Sequence, residues 1–260
     1  MKYLRYALVT VFSICLVSCY EVNEEIVINE NGTGTYVSNM DLSQLIDMMQ
    51  TFAGEEELNK EGMDKVVDTT IAMKDIADSA KDATPEQKEL VKDGKMSLQM
   101  NMKEKIFKIG MNIPYKNYDN LQKLLGGAGG SGTGMSSMMK SLFGQGKEKE
   151  EDPAGAPKEP DMNEFSKIYD VVAKNGLISR KVNMEKFKEM TEKPEMAQMK
   201  EITSSGMEIL YTTTFKLPRP VKKTDSPLIK LSDDKKTATI KYNLLDVLST
   251  PEKFAFTIEY

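Results

Sequence analysis

Two short runs in the first half of the chain alternate apolar and polar residues without a break. Met96, Leu98, Met100 and Met102 take every second position, and Phe107, Ile109, Met111 and Ile113 do the same in the opposite parity. Lys103-Glu104-Lys105 stands between them. A period of two turns one face of a strand toward the core, and a parity switch across a polar break predicts two strands joined by a turn. Pro114 is expected to end the second strand. Upstream, Glu25 to Asn29 reads as a strand, Asn31-Gly32 as a type I′ hairpin turn, and Thr33 to Met40 as the returning strand with Tyr36 in it.

Other segments carry the helical period instead. Asp41 or Ser43 can cap a helix whose stripe is Leu42, Leu45, Ile46, Met49 and Phe52. After Gly54, a longer helix is predicted with Met63, Val66, Val67, Thr70, Met73 and Ala77 along one side. Thr84-Pro85-Glu86-Gln87 opens a further helical turn, and Tyr118 to Leu125 reads as a short helix. In the second half, Asp161 to Lys174 is expected to be helical with Phe165, Ile168 and Val172 inward and Gly176 closing it. Leu177 to Met184 reads as a strand. Glu185 to Thr203 reads as a helix, with Phe187, Met190, Met199 and Ile202 inward and a break or kink at Pro194. From Met207 onward four strands are predicted: Met207–Leu217, Leu228–Ser232, Thr237–Leu244 and Phe254–Tyr260, with Asp233 to Lys236 as the turn of the central hairpin.

This order of elements predicts an α+β fold: a curved antiparallel sheet with helices packed on one face. First and last strands are expected in the same sheet, which would make residues 19–125 and 161–260 a single domain. Residues 126–160 read as a flexible, low-complexity Gly-rich insert. Gly126 to Gly134 is nearly all small residues and Lys147 to Pro160 is charged and proline-rich, so the segment buries too little apolar surface to offset its ordering entropy. Met135, Met138, Met139, Leu142 and Phe143 form an apolar island inside it, either a helical turn resting on the domain or a contact for a ligand, a partner or lipid.

The N-terminal pattern is of a different kind. Lys2 and Arg5 precede an apolar run from Tyr6 to Val17, and the chain turns polar after Cys19. A charged start, a short apolar middle and small residues at the end make a secretory signal covering residues 1–18. The run is shorter than the roughly 20 residues a membrane span needs. Leu16-Val17-Ser18-Cys19 looks like a bacterial lipobox, which makes Cys19 the expected site of lipidation and the new N-terminus. One acyl chain anchors only marginally, whereas several make the attachment effectively permanent. Tyr20, not aspartate, follows Cys19, so inner-membrane retention is not signalled, and the outer membrane facing the periplasm is the expected location.

Composition narrows the chemistry. The formal net charge is −5, and loss of Lys2 and Arg5 takes it to −7, which argues against a nucleic-acid partner. Cys15 leaves with the signal and Cys19 is the acylation site, so the mature chain has no thiol for an internal disulfide. There is no histidine, hence no Ser-His or Cys-His pair and no imidazole metal ligand. No carboxylate pair stands out for acid–base work. The expectation is a non-catalytic protein with no cofactor and no metal.

Three motifs complete the reading. Gly127-Ala128-Gly129-Gly130-Ser131-Gly132 fits G-x-G-x-x-G, but a helix precedes it where the phosphate-binding loop requires a strand, so it reads as linker composition. The 19 methionines lie at core spacing and read as an ordinary soft core, or as a pliable apolar groove for a ligand of variable shape. Leu217-Pro218-Arg219-Pro220-Val221-Lys222 reads as a rigid strand-to-strand corner, with contact to anionic lipid headgroups as the alternative.

The stretch Tyr211-Thr212-Thr213-Thr214-Phe215-Lys216-Leu217-Pro218-Arg219-Pro220-Val221, followed by Leu231 to Ile240, is similar to the C-terminal half of LppM-like bacterial envelope lipoproteins. Ile28 to Tyr36 resembles their first hairpin, and the layout is similar to that of uncharacterised Bacteroidetes-type lipoproteins. The resemblance implies no catalytic residues. The functional expectation is therefore a protein held to the membrane through acylated Cys19 that binds a lipid or other amphiphile in an apolar groove. The alternative is a structural or assembly lipoprotein that binds another envelope protein.

Overall fold

Tyr20, Val22, Ile26 and Ile28 form a buried row along β1 (Cys19–Ile28), every second residue turned inward. The strand thus begins at Cys19, well before the Glu25 start that the local pattern predicts. The computed structural model describes residues 19–44, 46, 66–80, 83–128, 164–193, 196 and 208–260. The elements that follow are β2 (Gly34–Asp41), β3 (Val67–Ala72), α1 (Met73–Ser79), α2 (Pro85–Val91), β4 (Lys95–Asn101), β5 (Ile106–Tyr115), α3 (Tyr118–Lys123) and α4 (Glu164–Lys167). Then come β6 (Tyr169–Lys174), β7 (Leu177–Val182), α5 (Met184–Thr191), β8 (Glu208–Lys216), β9 (Lys223–Thr224), β10 (Ile229–Leu231), β11 (Thr237–Asn243) and β12 (Phe256–Glu259).

The fold is α+β, built on two sheets. The larger has eight strands in the order β10-β11-β8-β1-β2-β5-β4-β3, and the smaller has four in the order β6-β7-β12-β9. Every pair is antiparallel except β1 with β8, which run parallel with Cys19 opposite Glu208 and Val27 opposite Lys216. The sequence predicts first and last strands in one sheet; instead β1 lies in the large sheet and β12 in the small one. β8 takes the place beside β1, and β12 pairs with β7 and β9 instead. Phe215 of the large sheet meets Phe256 of the small one edge-on, ring centres 5.7 Å apart. The inward row of the large sheet shares a single core with Met73 and Ala77 of α1, Leu90 and Val91 of α2, Leu121 of α3 and Met190 of α5.

The alternating pair at the centre of the prediction is observed: Met96, Leu98 and Met100 on β4, and Phe107, Ile109, Met111 and Ile113 on β5, are all buried. Pro114 does not end β5. It stands opposite Thr35, beyond the last rung of β4, where the missing N–H breaks no ladder on that side. The first hairpin is not type I′, because only Gly32 (φ 81°) has a positive φ there; Gly32 N–H closes on Asn29 O at 3.0 Å and Asn29 N–H on Thr33 O at 2.8 Å. That is a type I turn followed by a left-handed residue. A side chain at Gly32 would also meet the Tyr118 ring at 2.6 Å.

Two predicted helices are largely strands. Val67 to Ala72 is β3, and the helix on its far side is only Met73–Ser79. Val67, Thr69, Thr70 and Ile71 are β-branched and pair with β4, which outweighs their helical spacing. Likewise Tyr169 to Lys174 is β6, joined through Asn175-Gly176 to β7, so Val172 is exposed rather than inward and Gly176 turns a hairpin rather than closing a helix. Most of the predicted stripes around Leu45 to Met63 and Met199 to Ile202, and residues 129–160 of the predicted insert, lie outside the described residues.

Candidate functional site

One position in the buried row of β1 is occupied by a carboxylate. Glu24 stands between Val22 and Ile26, with Ser38 of β2 and Thr213 of β8 as its partners across the two ladders. The hydroxyls of Tyr36 and Tyr211 both donate to Oε1, the latter at 2.8 Å, and the Thr213 hydroxyl donates to Oε2 at 3.2 Å. Burial first, and then the charge of Glu24, holds Tyr36 and Tyr211 well above the usual phenol range. Both therefore stay neutral donors at physiological pH. Ser38, 1 % exposed, completes the polar cluster on β2.

A guanidinium faces this cluster from the small sheet. Arg180 of β7 lies over the rings of Tyr169 at 4.7 Å, Phe256 at 4.9 Å and Tyr242 at 5.6 Å. Its Nε and Nη2 donate to the Phe254 carbonyl at 3.1 and 2.9 Å. Tyr242 stacks on Tyr211, ring centres 5.4 Å apart, and its ring lies beneath the Arg180 guanidinium. A continuous polar and aromatic path thus runs from Glu24 through Tyr211 and Tyr242 to Arg180. Burial works against the Arg180 charge, but Tyr242, Tyr169 and Glu24 outweigh it and shift the guanidinium further up. Tyr169 is pushed up by its own burial, and its hydroxyl has no partner among the described residues.

Arg180 also reaches the wall of an open groove of about 550 Å³, a size typical of small-molecule sites. Phe256, Ala255, Pro227 and Leu228 give it an apolar side. Lys181 and Lys253 add positive charge, and Asp225 and Glu252 negative. Asp225 is committed in part, its Oδ1 accepting the Thr257 N–H at 2.6 Å. The lining thus mixes apolar surface with charges of both signs, and Arg180 is its one planar cation, a composition suited to a ligand with an apolar body and an anionic end. Among the described residues no three His, Cys, Asp or Glu side chains come together as a metal-binding group.

The residues singled out from sequence fall elsewhere. Cys19 is the first residue of β1, hydrogen-bonded into the large sheet beside Glu208. Met40, Met73, Met96, Met100, Met102, Met111, Met190 and Met196 are buried in the core, and none lines the groove. The Leu217–Val221 corner is a folded strut: Leu217 N–H donates to Lys236 O and Val221 N–H to Lys235 O, both at 2.8 Å, and Arg219 Nη2 donates to Asn175 Oδ1. Gly127 has φ 93°, and the rest of the glycine motif lies outside the described residues.

Glu24 and Arg180 were not legible as a pair. Glu24 reads as part of the polar stretch after the signal, and its signal is parity alone: it shares even numbering with Tyr20, Val22, Ile26 and Ile28. Arg180 could have been marked by rarity, since the only arginines among 35 basic residues are Arg5, Arg180 and Arg219. Arginine in place of lysine favours a stacked, bidentate role. No protein-family model, no curated protein and no solved structure matches the chain.

Proposed function

We propose that the chain is a non-catalytic lipoprotein of the bacterial cell envelope, anchored through acylated Cys19 and facing the periplasm. Its domain binds an amphiphile whose anionic end meets Arg180 and whose apolar part lies against Phe256, Ala255, Pro227 and Leu228. The signal-like residues 1–18 and the lipobox-like Leu16 to Cys19 support the anchor. One observation carries the ligand reading: Arg180, whose guanidinium rests on three aromatic rings and a carbonyl without an ion pair to any described carboxylate, is among the residues that line a largely apolar groove. The methionine-rich core is the packing that holds both sheets in place, and the groove replaces it as the ligand site.

Native mass spectrometry after gentle extraction tests this. The unchanged protein is expected to retain an anionic lipid or fatty acid that Arg180→Gln loses. Equal occupancy in both, or consistently empty protein, would refute the ligand reading.

A further inference from the structure

The inference that follows rests on the reading of Cys19 as the acylated residue and adds the pose of the domain on the membrane. Many residues of flexible chain between an anchor and its domain would let the domain take any orientation. Here β-sheet pairing starts at the anchor itself. Cys19 is opposite Glu208, Tyr20 is opposite Ile209 and only 8 % exposed, and Glu21 is opposite both Leu210 and Asp41. The sheet is thus tethered with no slack at one defined end.

The register shows what else stands at that end. Glu21 is level with Asp41, Asp41 with Lys108, and Lys108 with Gln99. Two residues further, Ile106 pairs with Asn101 at the level of Cys19, so the turn Met102–Lys105 projects beyond it. With strands about 4.8 Å apart, that turn lies about 12 Å to the side of β1. Val66, 69 % exposed, precedes β3 at the same level, since Val67 is opposite Met100. Lys103, Glu104 and Lys105 are exposed. Exposed apolar surface beside lysines is the composition that interfacial contacts use. The outward face of the sheet is unsuited to lying flat on a bilayer. Glu21 and Asn23 stand exposed on it, and Glu25 is ion-paired to Lys216 at 2.7 Å.

We infer that the domain stands upright, with the Cys19 end of the large sheet against the bilayer and Val66 and Lys103–Lys105 at the tip of the β4–β5 turn touching lipid headgroups. β1 spans ten residues, so the hairpin at Asn29–Thr33 and the corner at Leu217–Val221 are held about 30 Å above the surface. Arg219, Lys222 and Lys223 then face away from the lipid, which excludes the headgroup role for that corner.

Once Cys15 is removed and Cys19 is a thioether, an introduced cysteine is the only thiol in the chain. The acylated full chain carrying Lys103→Cys or Glu30→Cys, each at an exposed turn, is labelled with bimane. It is then reconstituted into vesicles of phosphatidylethanolamine and phosphatidylglycerol containing a headgroup nitroxide. Quenching is expected at position 103 and none at position 30. Vesicle flotation with quenching at both positions, at neither, or at position 30 alone overturns the upright pose and leaves the anchor standing. A chain that does not float overturns the anchor and the pose together.

Discussion

The Tyr211 hydroxyl donates to the Glu24 carboxylate at 2.8 Å across 187 residues of sequence, joining the only parallel pair of strands in the molecule as described. Its partner hydroxyls on Tyr36 and Thr213 come from the strands on either side of β1. One side chain therefore ties β2, β1 and β8 together at the middle of the large sheet. Glu24→Ala leaves three buried hydroxyls without their acceptor, and each orphaned group costs about 1–3 kcal/mol. We expect a loss of at least about 2 kcal/mol in urea unfolding of the unacylated chain. Glu24→Gln, which keeps one acceptor oxygen, should lose less. Equal stability of wild type and Glu24→Ala would show that the hydroxyls re-pair elsewhere.

Arg180 makes its contacts as a plane. Arg180→Lys keeps the charge but cannot stack on Tyr169 and Phe256 while holding the Phe254 carbonyl with two N–H groups. A desolvated cation–π contact is worth up to about 2 kcal/mol. The expected result is a destabilisation of about 1–2 kcal/mol, measured by thermal or denaturant unfolding. Bound anionic amphiphile, followed by native mass spectrometry, should decrease in the same variant.

Tyr36, Tyr211 and Tyr242 have their ionisation raised, in each case chiefly by burial. The folded state therefore holds these protons more tightly than the unfolded state, whose phenols ionise near pH 10. The associated stability is complete below about pH 10 and declines as pH rises above it, because the unfolded chain alone releases the protons there. Absorbance at 295 nm should show these phenolates appearing only together with loss of the near-ultraviolet circular dichroism. Independent titration of all tyrosines in a still-folded protein would contradict this.

Gly34 sits where β1 and β2 close on each other. A Cβ there would meet the Val27 carbonyl oxygen at 1.8 Å and the Tyr115 hydroxyl at 2.4 Å. That hydroxyl donates to the same Val27 oxygen at 2.7 Å. Gly34→Ala must push the hairpin off β5 or break the Tyr115 bond, with an expected cost of about 1–3 kcal/mol or more. Thr84→Ala, at the capping box of α2, should cost about 1 kcal/mol. Unfolding of both variants side by side checks the order.

Much of the strand content was legible because alternation is local. Met96 to Met102 and Phe107 to Ile113 declare one buried face within a few residues, and no distant contact alters that. Val67 to Ile71 and Tyr169 to Val172 misled because their apolar residues also fit a 3.6-residue period. Their β-branched and aromatic residues settle into strands only where β4 and β7 offer open edges. The spacing of the residues could not reveal those edges.

The site divides in the same way. Sequence alone determined the charged start and apolar run that end at Cys19, the absence of histidine, and the alternation that buries one face of β4 and β5, since all three are properties of adjacent residues or of composition. Only the tertiary structure decided that β8 slides in beside β1, that β12 leaves for a second sheet, and that Glu24 and Arg180 face one another through Tyr211 and Tyr242. Those outcomes depend on which backbone edge is free and which ring fills a space. Both are settled by packing among residues far apart along the chain.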